Sequence, residues 1–385
     1  MSERRLTDDD SVRAPTRSRW RRRLIALATY LALLAASSVF RARLPEPPLD
    51  RSVTWIRLTP RGADTPLPDD PEVAPVTIAF DSRCPPESAP RRPSVVLLHG
   101  SPGGRFDFHG VTDALARDRC VIAPDLPGFG ASTRDVPDYS VAAHAAYVDA
   151  LLAALHESRA HVVGFSMGGG VAIELARRHP DRVASLTLLS GLGIQEQELF
   201  GRYWVNHAVH GVQLAALWLL TEATPHFGLF DGMFMGVEYA RNFYDTDQRP
   251  LRPALLAYDG PALIYHGRHD FLVPYEAALE HHRLLPQSVL VTSEGDHFDT
   301  FMRPGEVATA LVPFLAAVDR GERPTRSAAS PALRIAAGRP YAGPVGTAHM
   351  GPRLAIEILA GVVLLSIAAA AGWRRRRRRL RLRLR

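Results

Sequence analysis

Lysine is absent from this chain, so every formal positive side-chain charge at neutral pH is an arginine. Cysteine is nearly absent too: Cys84 and Cys120 are too few for a disulfide framework and lack metal-site spacing. They could pair in an exported domain or remain two unrelated thiols. No phosphate loop, dinucleotide fingerprint or metal-ligand cluster occurs, so no cofactor and no metal are expected. A net positive charge is also missing from the body of the chain. The net charge is +6, but nine arginines lie between Arg374 and Arg385 and eight within the first 23 residues, leaving Leu24 to Trp373 near −7. A nucleic-acid binder carries net positive charge on its folded surface, and the confinement of that net charge to the termini argues against one. Arginine without lysine, among many alanines and prolines, is the composition of a GC-rich bacterial genome.

With 385 residues and 46% hydrophobic content, the chain can bury a large core and holds at most two globular domains. Two apolar runs stand apart from that core. Leu24 to Phe40 is uncharged over 17 residues, about 26 Å as a helix against a bilayer core of roughly 30 Å. It reads as a signal anchor (24–40) behind a basic cytoplasmic segment (1–23). Arg17 to Arg23 outweigh Arg41 and Arg43, which leaves the N-terminus inside. A cleaved signal peptide is the other reading, although its leader is normally shorter. The second run, 354–373, carries only Glu357 and meets Arg374 to Arg379, again a cytoplasmic flank (374–385). A helix packed on the domain is its alternative. Both flanks predict a hairpin in the bacterial inner membrane with the domain on the extracytoplasmic side. Residues 320–353, rich in Pro, Ala, Gly and Arg, read as a linker.

Between the anchors, strand-length runs rich in β-branched residues begin near Val53, Val76, Ser94, Cys120, His161, Ser185, Pro261 and Ser288. From the third onward, helix-type stretches intervene at 108–117, 140–156, 167–179, 274–285 and 304–318. The alternation predicts an α/β domain with a mostly parallel, doubly wound sheet of eight strands. Its core runs over 51–190 and 260–319. The interval 191–259 is too long for a loop and crowded with apolar residues, which predicts an inserted helical cap. An extra pair of core helices is the blander reading.

Gly164-Phe165-Ser166-Met167-Gly168-Gly169 stands directly after a predicted strand and before a predicted helix. A serine there sits on a sharp strand-to-helix turn that exposes its hydroxyl, and the flanking glycines leave room for the backbone. His99-Gly100-Ser101-Pro102-Gly103-Gly104 follows the third strand and Asp125-Leu126-Pro127-Gly128-Phe129-Gly130 the fourth, with Asp125 expected to stabilise a turn.

Together with Gly267-Arg268-His269-Asp270 and Gly295-Asp296-His297-Phe298, these motifs give a chain from Val53 to Val318 that resembles the α/β-hydrolase superfamily. The resemblance implies a Ser-Asp-His order in the chain. Ser166 is then the nucleophile, Asp270 the acid after the post-cap strand, and His297 the base after the last strand. His269 is a weaker rival, and His99 is expected to be structural. The oxyanion hole would use the N–H groups of Met167 and of Ser101, since Pro102 has none. His297 would accept the Ser166 proton and return it to the leaving group, with Asp270 holding the imidazole tautomer.

A serine at the elbow disfavours haloalkane dehalogenase and epoxide hydrolase chemistry, whose relatives use aspartate there. An ester-type acyl bond is the expected target. Thioester, amide and carbon–carbon bonds stay open, as does transfer to an acceptor other than water or a non-catalytic binding module. Tyr203, Trp204, Trp218, Phe227 and Phe230, with the membrane tether, suggest a hydrophobic or lipid-like substrate.

Overall fold

The computed structural model describes residues 17–43, 54–58, 76–86, 92–230 and 236–323. The expected second membrane segment, the arginine tail and most of the linker lie outside the described residues, as does 1–16. In chain order the elements are α1 (Arg17–Ala42), β1 (Thr54–Leu58), β2 (Val76–Arg83), β3 (Ser94–Leu98), α2 (His109–Leu115), β4 (Val121–Pro124), α3 (Val141–Ala154), β5 (Ala160–Phe165) and α4 (Met167–Arg178). They continue with β6 (Val183–Leu189), α5 (Tyr203–Thr221), α6 (Val237–Asp245), α7 (Leu251–Ala257), β7 (Ala262–Gly267), α8 (Tyr275–Leu284), β8 (Val289–Ser293), α9 (Asp299–Met302) and α10 (Pro304–Asp319).

The eight strands form one sheet in the order β1-β2-β4-β3-β5-β6-β7-β8. From β4 to β8 every pairing is parallel, while β1–β2 and β2–β4 are antiparallel, so the sheet is mixed at one edge. Strands β3, β5, β6 and β7 are buried along their whole length. Covered on both faces, they have no polar side to show, which is why their sequences run apolar without alternation. Val96, Val162, Leu186 and Ile264 feed one core, and Val95, Val163, Leu263 and Phe314 feed the other. Cys84, just past β2, and Cys120, just before β4, form a disulfide across the antiparallel edge. The chain order reverses at β3, which lies between β4 and β5. Its outgoing loop therefore emerges beside that of β5, the place where open α/β sheets bind ligands.

The interval predicted as a single cap is divided. The described residues within 49–214 and 238–323 form one compact body, and those within 17–43 and 215–237 form another. In the larger body, α6 is fastened to the start of α3: Asn242 Nδ2 donates to the Tyr139 carbonyl at 2.7 Å, and the Tyr139 amide donates to Asp245 at 3.0 Å. In the smaller body, α1 supplies polar partners to the 221–227 backbone. Ser37 Oγ accepts from the amides of His226 (3.1 Å) and Phe227 (2.8 Å), Arg41 reaches the Thr221 carbonyl at 3.2 Å, and Tyr30 donates to the Ala223 carbonyl. Those bonds tie this stretch to α1. Arg19–Ala42 of α1 is long and apolar enough to cross a membrane.

Candidate active site

Ser166 occupies the turn between β5 and α4 with φ 51° and ψ −117°. A non-glycine residue held at positive φ is strained, and here the neighbours impose it. The Ser166 amide donates to the Leu189 carbonyl at 3.0 Å, and its own carbonyl accepts from Gly169 and Leu192, both at 2.9 Å. The flanking glycines are sterically required. A Cβ on Gly164 would lie 2.1 Å from the Gly168 carbonyl oxygen, and one on Gly168 would lie 2.1 Å from that of Leu98.

That second contact brings the β3 loop to the elbow. Leu98 pairs with Gly164 in the sheet register, and a Cβ on Gly100 would lie 3.1 Å from Ser166 Cβ. His99 fixes the loop as a structural residue. Its Nε2 accepts the Leu126 amide at 2.9 Å, which leaves Nδ1 as the protonated nitrogen 2.7 Å from the Gly100 carbonyl. Burial lowers the His99 pKa, opposed by the Gly100 bond and the Asp125 charge. Asp125 accepts from the backbone amides of Arg105 (2.7 Å) and Ala131 (2.8 Å) and pairs with the buried Arg105 guanidinium, tying the turn after β4 to the chain that leaves the β3 loop. Met167 opens α4, so its N–H has no partner within the helix and belongs to the positive end of the helix dipole.

Asp270 and His297 are delivered by the loops after β7 and β8, which pair in parallel up to Gly267 and Ser293. His297 Nδ1 lies 2.8 Å from Asp270 Oδ2. Oδ1 of the same carboxylate accepts from the amides of Leu272 (2.9 Å) and Val273 (2.8 Å). Burial raises the Asp270 pKa, but hydrogen bonds from His266 and His297 outweigh it and hold the carboxyl well below its ordinary range. An ionised carboxylate only accepts, so Nδ1 carries the imidazole proton and Nε2 is left with its lone pair. The His297 ring lies 5.0 Å from that of Phe165, the residue before Ser166. His269, by contrast, is exposed beside Glu294.

The sequence did not single out a second group of residues around His297. Phe298, Phe301 and Phe271 form a chain of ring contacts: Phe298 lies 5.7 Å from His297, 6.3 Å from Phe301 and 6.1 Å from Phe271, and Phe301 lies 5.0 Å from Phe165. All three phenylalanines outside the elbow remain well exposed. The string His297-Phe298-Asp299-Thr300-Phe301 was the only signal for two of them, and Phe271 directly follows Asp270. Of the five aromatics assigned to substrate, Tyr203 and Trp204 lie in the larger body, with the Arg249 guanidinium 3.9 Å from the Tyr203 ring. Trp218, Phe227 and Phe230 lie in the smaller one, where Phe227 packs edge-on against Phe40 at 5.8 Å. A cleft of about 240 Å³ beside Tyr203 is lined by Gln195, Glu196, Gln248, Arg249 and Arg252, a polar set.

Residues 93–216 match the α/β hydrolase fold family. An uncharacterised protein of Mycobacterium tuberculosis is 42% identical over 102 residues, which are 26% of this chain and 30% of that protein. The 2-hydroxymuconate semialdehyde hydrolase of Pseudomonas putida is 30% identical over 256 residues, 58% of this chain and 87% of that enzyme. Among solved structures, a bacterial membrane phospholipase A aligns with a TM-score of 0.53 at 24% identity, over 77% of this chain and 96% of that one, a likeness of fold.

Proposed function

We propose, on the premise that this chain belongs to the α/β-hydrolase fold family and is a hydrolase, that it cleaves ester-type acyl bonds in a hydrophobic substrate through Ser166, His297 and Asp270. The observation that carries this reading is the Asp270–His297 pair at 2.8 Å, with the His297 ring packed on the residue that precedes the strained Ser166. His297 Nε2 takes the Ser166 proton as Oγ attacks the acyl carbon. The resulting oxyanion is stabilised by the Met167 and Ser101 N–H groups. His297 then protonates the departing alcohol, activates a water against the acyl-enzyme, and Asp270 balances its positive charge in both halves.

The exposed Phe271, Phe298 and Phe301 beside His297 support an apolar acyl group, since such a cluster gains stability by being covered. The Cys84–Cys120 disulfide supports an oxidising compartment for the larger body. With α1 read as a membrane anchor, the bridge supports a catalytic body outside the cytoplasm. A second reading, hydrolysis of a carbon–carbon bond, draws on the relative in Pseudomonas putida.

Treatment of the full chain with a fluorophosphonate, followed by peptide mass spectrometry, tests the nucleophile. Labelling at Ser166 that disappears in Ser166→Ala supports the proposal. A folded protein that takes no label would overturn it.

A further inference from the structure

The smaller body exposes apolar surface that the catalytic reading leaves unexplained. Residues 215–230 (AALWLLTEATPHFGLF) contain one acidic residue, Glu222, and Arg41 of α1 pairs with it at 3.3 Å. Trp218 and Leu219 are both just over half exposed and Leu229 is 77% exposed, while Phe227 and Leu220 are also open. In water such surface is costly unless something covers it.

The polar contacts to α1 say what covers it. They come from Tyr30, Ser37 and Arg41, positions spanning about 16 Å along the C-terminal part of the helix, roughly half the thickness of a bilayer core. Ser37 is fully enclosed, and its hydroxyl satisfies two backbone amides that would otherwise face hydrocarbon unpaired. Arg41, at the end of the apolar run, is at the level where a basic side chain meets the outer interface, and there it neutralises Glu222. A helix end and loop that lie along the outer half of a spanning helix, with the amides of His226 and Phe227 and the charge of Glu222 paired and Leu219, Leu220 and Leu229 turned outward, match the chemistry of a bilayer leaflet.

We infer that residues 215–230 are embedded in the outer leaflet beside α1, so that the chain meets the membrane through a helix and a re-entrant segment. The partner is the lipid acyl region itself. This rests on the reading of α1 as a retained membrane anchor, and it adds a reason for retention: cleavage after α1 would strip the 226–227 amides of their acceptor.

The full chain, with its native disulfide intact, is reconstituted into phosphatidylethanolamine–phosphatidylglycerol vesicles as Leu31→Cys, Leu229→Cys or Leu256→Cys, each labelled with an environment-sensitive fluorophore. Leu31 reports α1, and Leu256 is an exposed position on α7. The inference expects the probes at 31 and 229 to emit blue-shifted light and to be quenched severalfold more by doxyl-labelled lipid than by iodide, with the reverse at 256. A lipid-like signal at 31 with an iodide-sensitive probe at 229 overturns the inference and leaves the anchor standing. Shielding of 229 from both quenchers also overturns it, by identifying a protein partner. An iodide-sensitive probe at 31 removes the anchor, and the inference falls with it.

Discussion

His266 Nε2 lies 3.3 Å from Asp270 Oδ2, the carboxylate oxygen that His297 also addresses. The same nitrogen is 2.9 Å from the Val273 carbonyl, and because a carbonyl only accepts, Nε2 is protonated and its hydrogen lies between the two oxygens. In the proposed triad His266 would act through Asp270, as a positioning residue. His266→Phe is expected to lower kcat about tenfold, the equivalent of roughly 1.5 kcal/mol for one hydrogen bond to a buried charge. The Asp270 carboxyl, held low partly by this bond, should then titrate at higher pH. A carbon-13 NMR titration of the Asp270 carboxyl checks this: it moves upward in His266→Phe, whereas a purely structural role for His266 would lower kcat and leave that titration unmoved.

The phenylalanines beside His297 make a separate prediction about substrate. Covering one phenyl ring is worth roughly 1.5–3 kcal/mol. Phe298→Ala should therefore reduce kcat/KM for a long-chain activated ester by about tenfold or more, while an acetate ester, too short to reach the ring, changes little. Equal losses on both esters would show that Phe298 supports the fold or His297 itself and does not bind the acyl chain.

The sheet was legible because its strands are short apolar runs between helix-type stretches, and all eight occur where those runs lie. The antiparallel edge was not, since β2 and the strands after it share one composition and differ only in their partners. The elbow was legible for a local reason: Gly164 and Gly168 are demanded by backbone atoms a few residues away or on the adjacent loop. Asp270 and His297 came from the order of motifs, and their 2.8 Å contact follows from the parallel pairing of β7 and β8. What could not be read was long-range and specific. Nothing in the string 221–230 announces that its amides would find Ser37, some 190 positions earlier, and nothing in a buried strand distinguishes His266 from an ordinary core residue.

Asp107 gives the larger body a pH dependence. Burial, with the nearby Asp125 charge adding to it, raises the Asp107 pKa from 3.8 to about 6, against the opposing bond from the Gly104 amide. The folded state therefore binds this proton more tightly than the unfolded chain does. Its stabilisation is full below 3.8 and is lost as pH rises through about 6. The loss amounts to roughly 2–3 kcal/mol. Asp107→Asn, which keeps an acceptor for Gly104 but cannot ionise, should be more stable than the parent at neutral pH and equal to it in acid. Urea midpoints measured on both sides of the window decide the matter; a parent–variant difference that stays constant with pH would refute the assignment.

The Cys84–Cys120 bridge closes a loop with a sequence separation of 36 across strands that are already hydrogen-bonded neighbours, with Arg83 opposite Val121 in the register. Because the native ladder holds both ends close without it, the bridge acts mainly on the unfolded chain, whose loop-closure entropy it removes. For a loop of this length that contribution is about 3–4 kcal/mol. Cys84→Ser with Cys120→Ser, or the parent in excess dithiothreitol, should thus unfold at lower urea with catalytic constants intact, since Ser166, Asp270 and His297 are carried by other strands. Differential alkylation before and after reduction in intact cells tests the compartment at the same time. Thiols that react only after reduction are expected for a domain outside the cytoplasm, and thiols that react at once would place the domain in a reducing compartment.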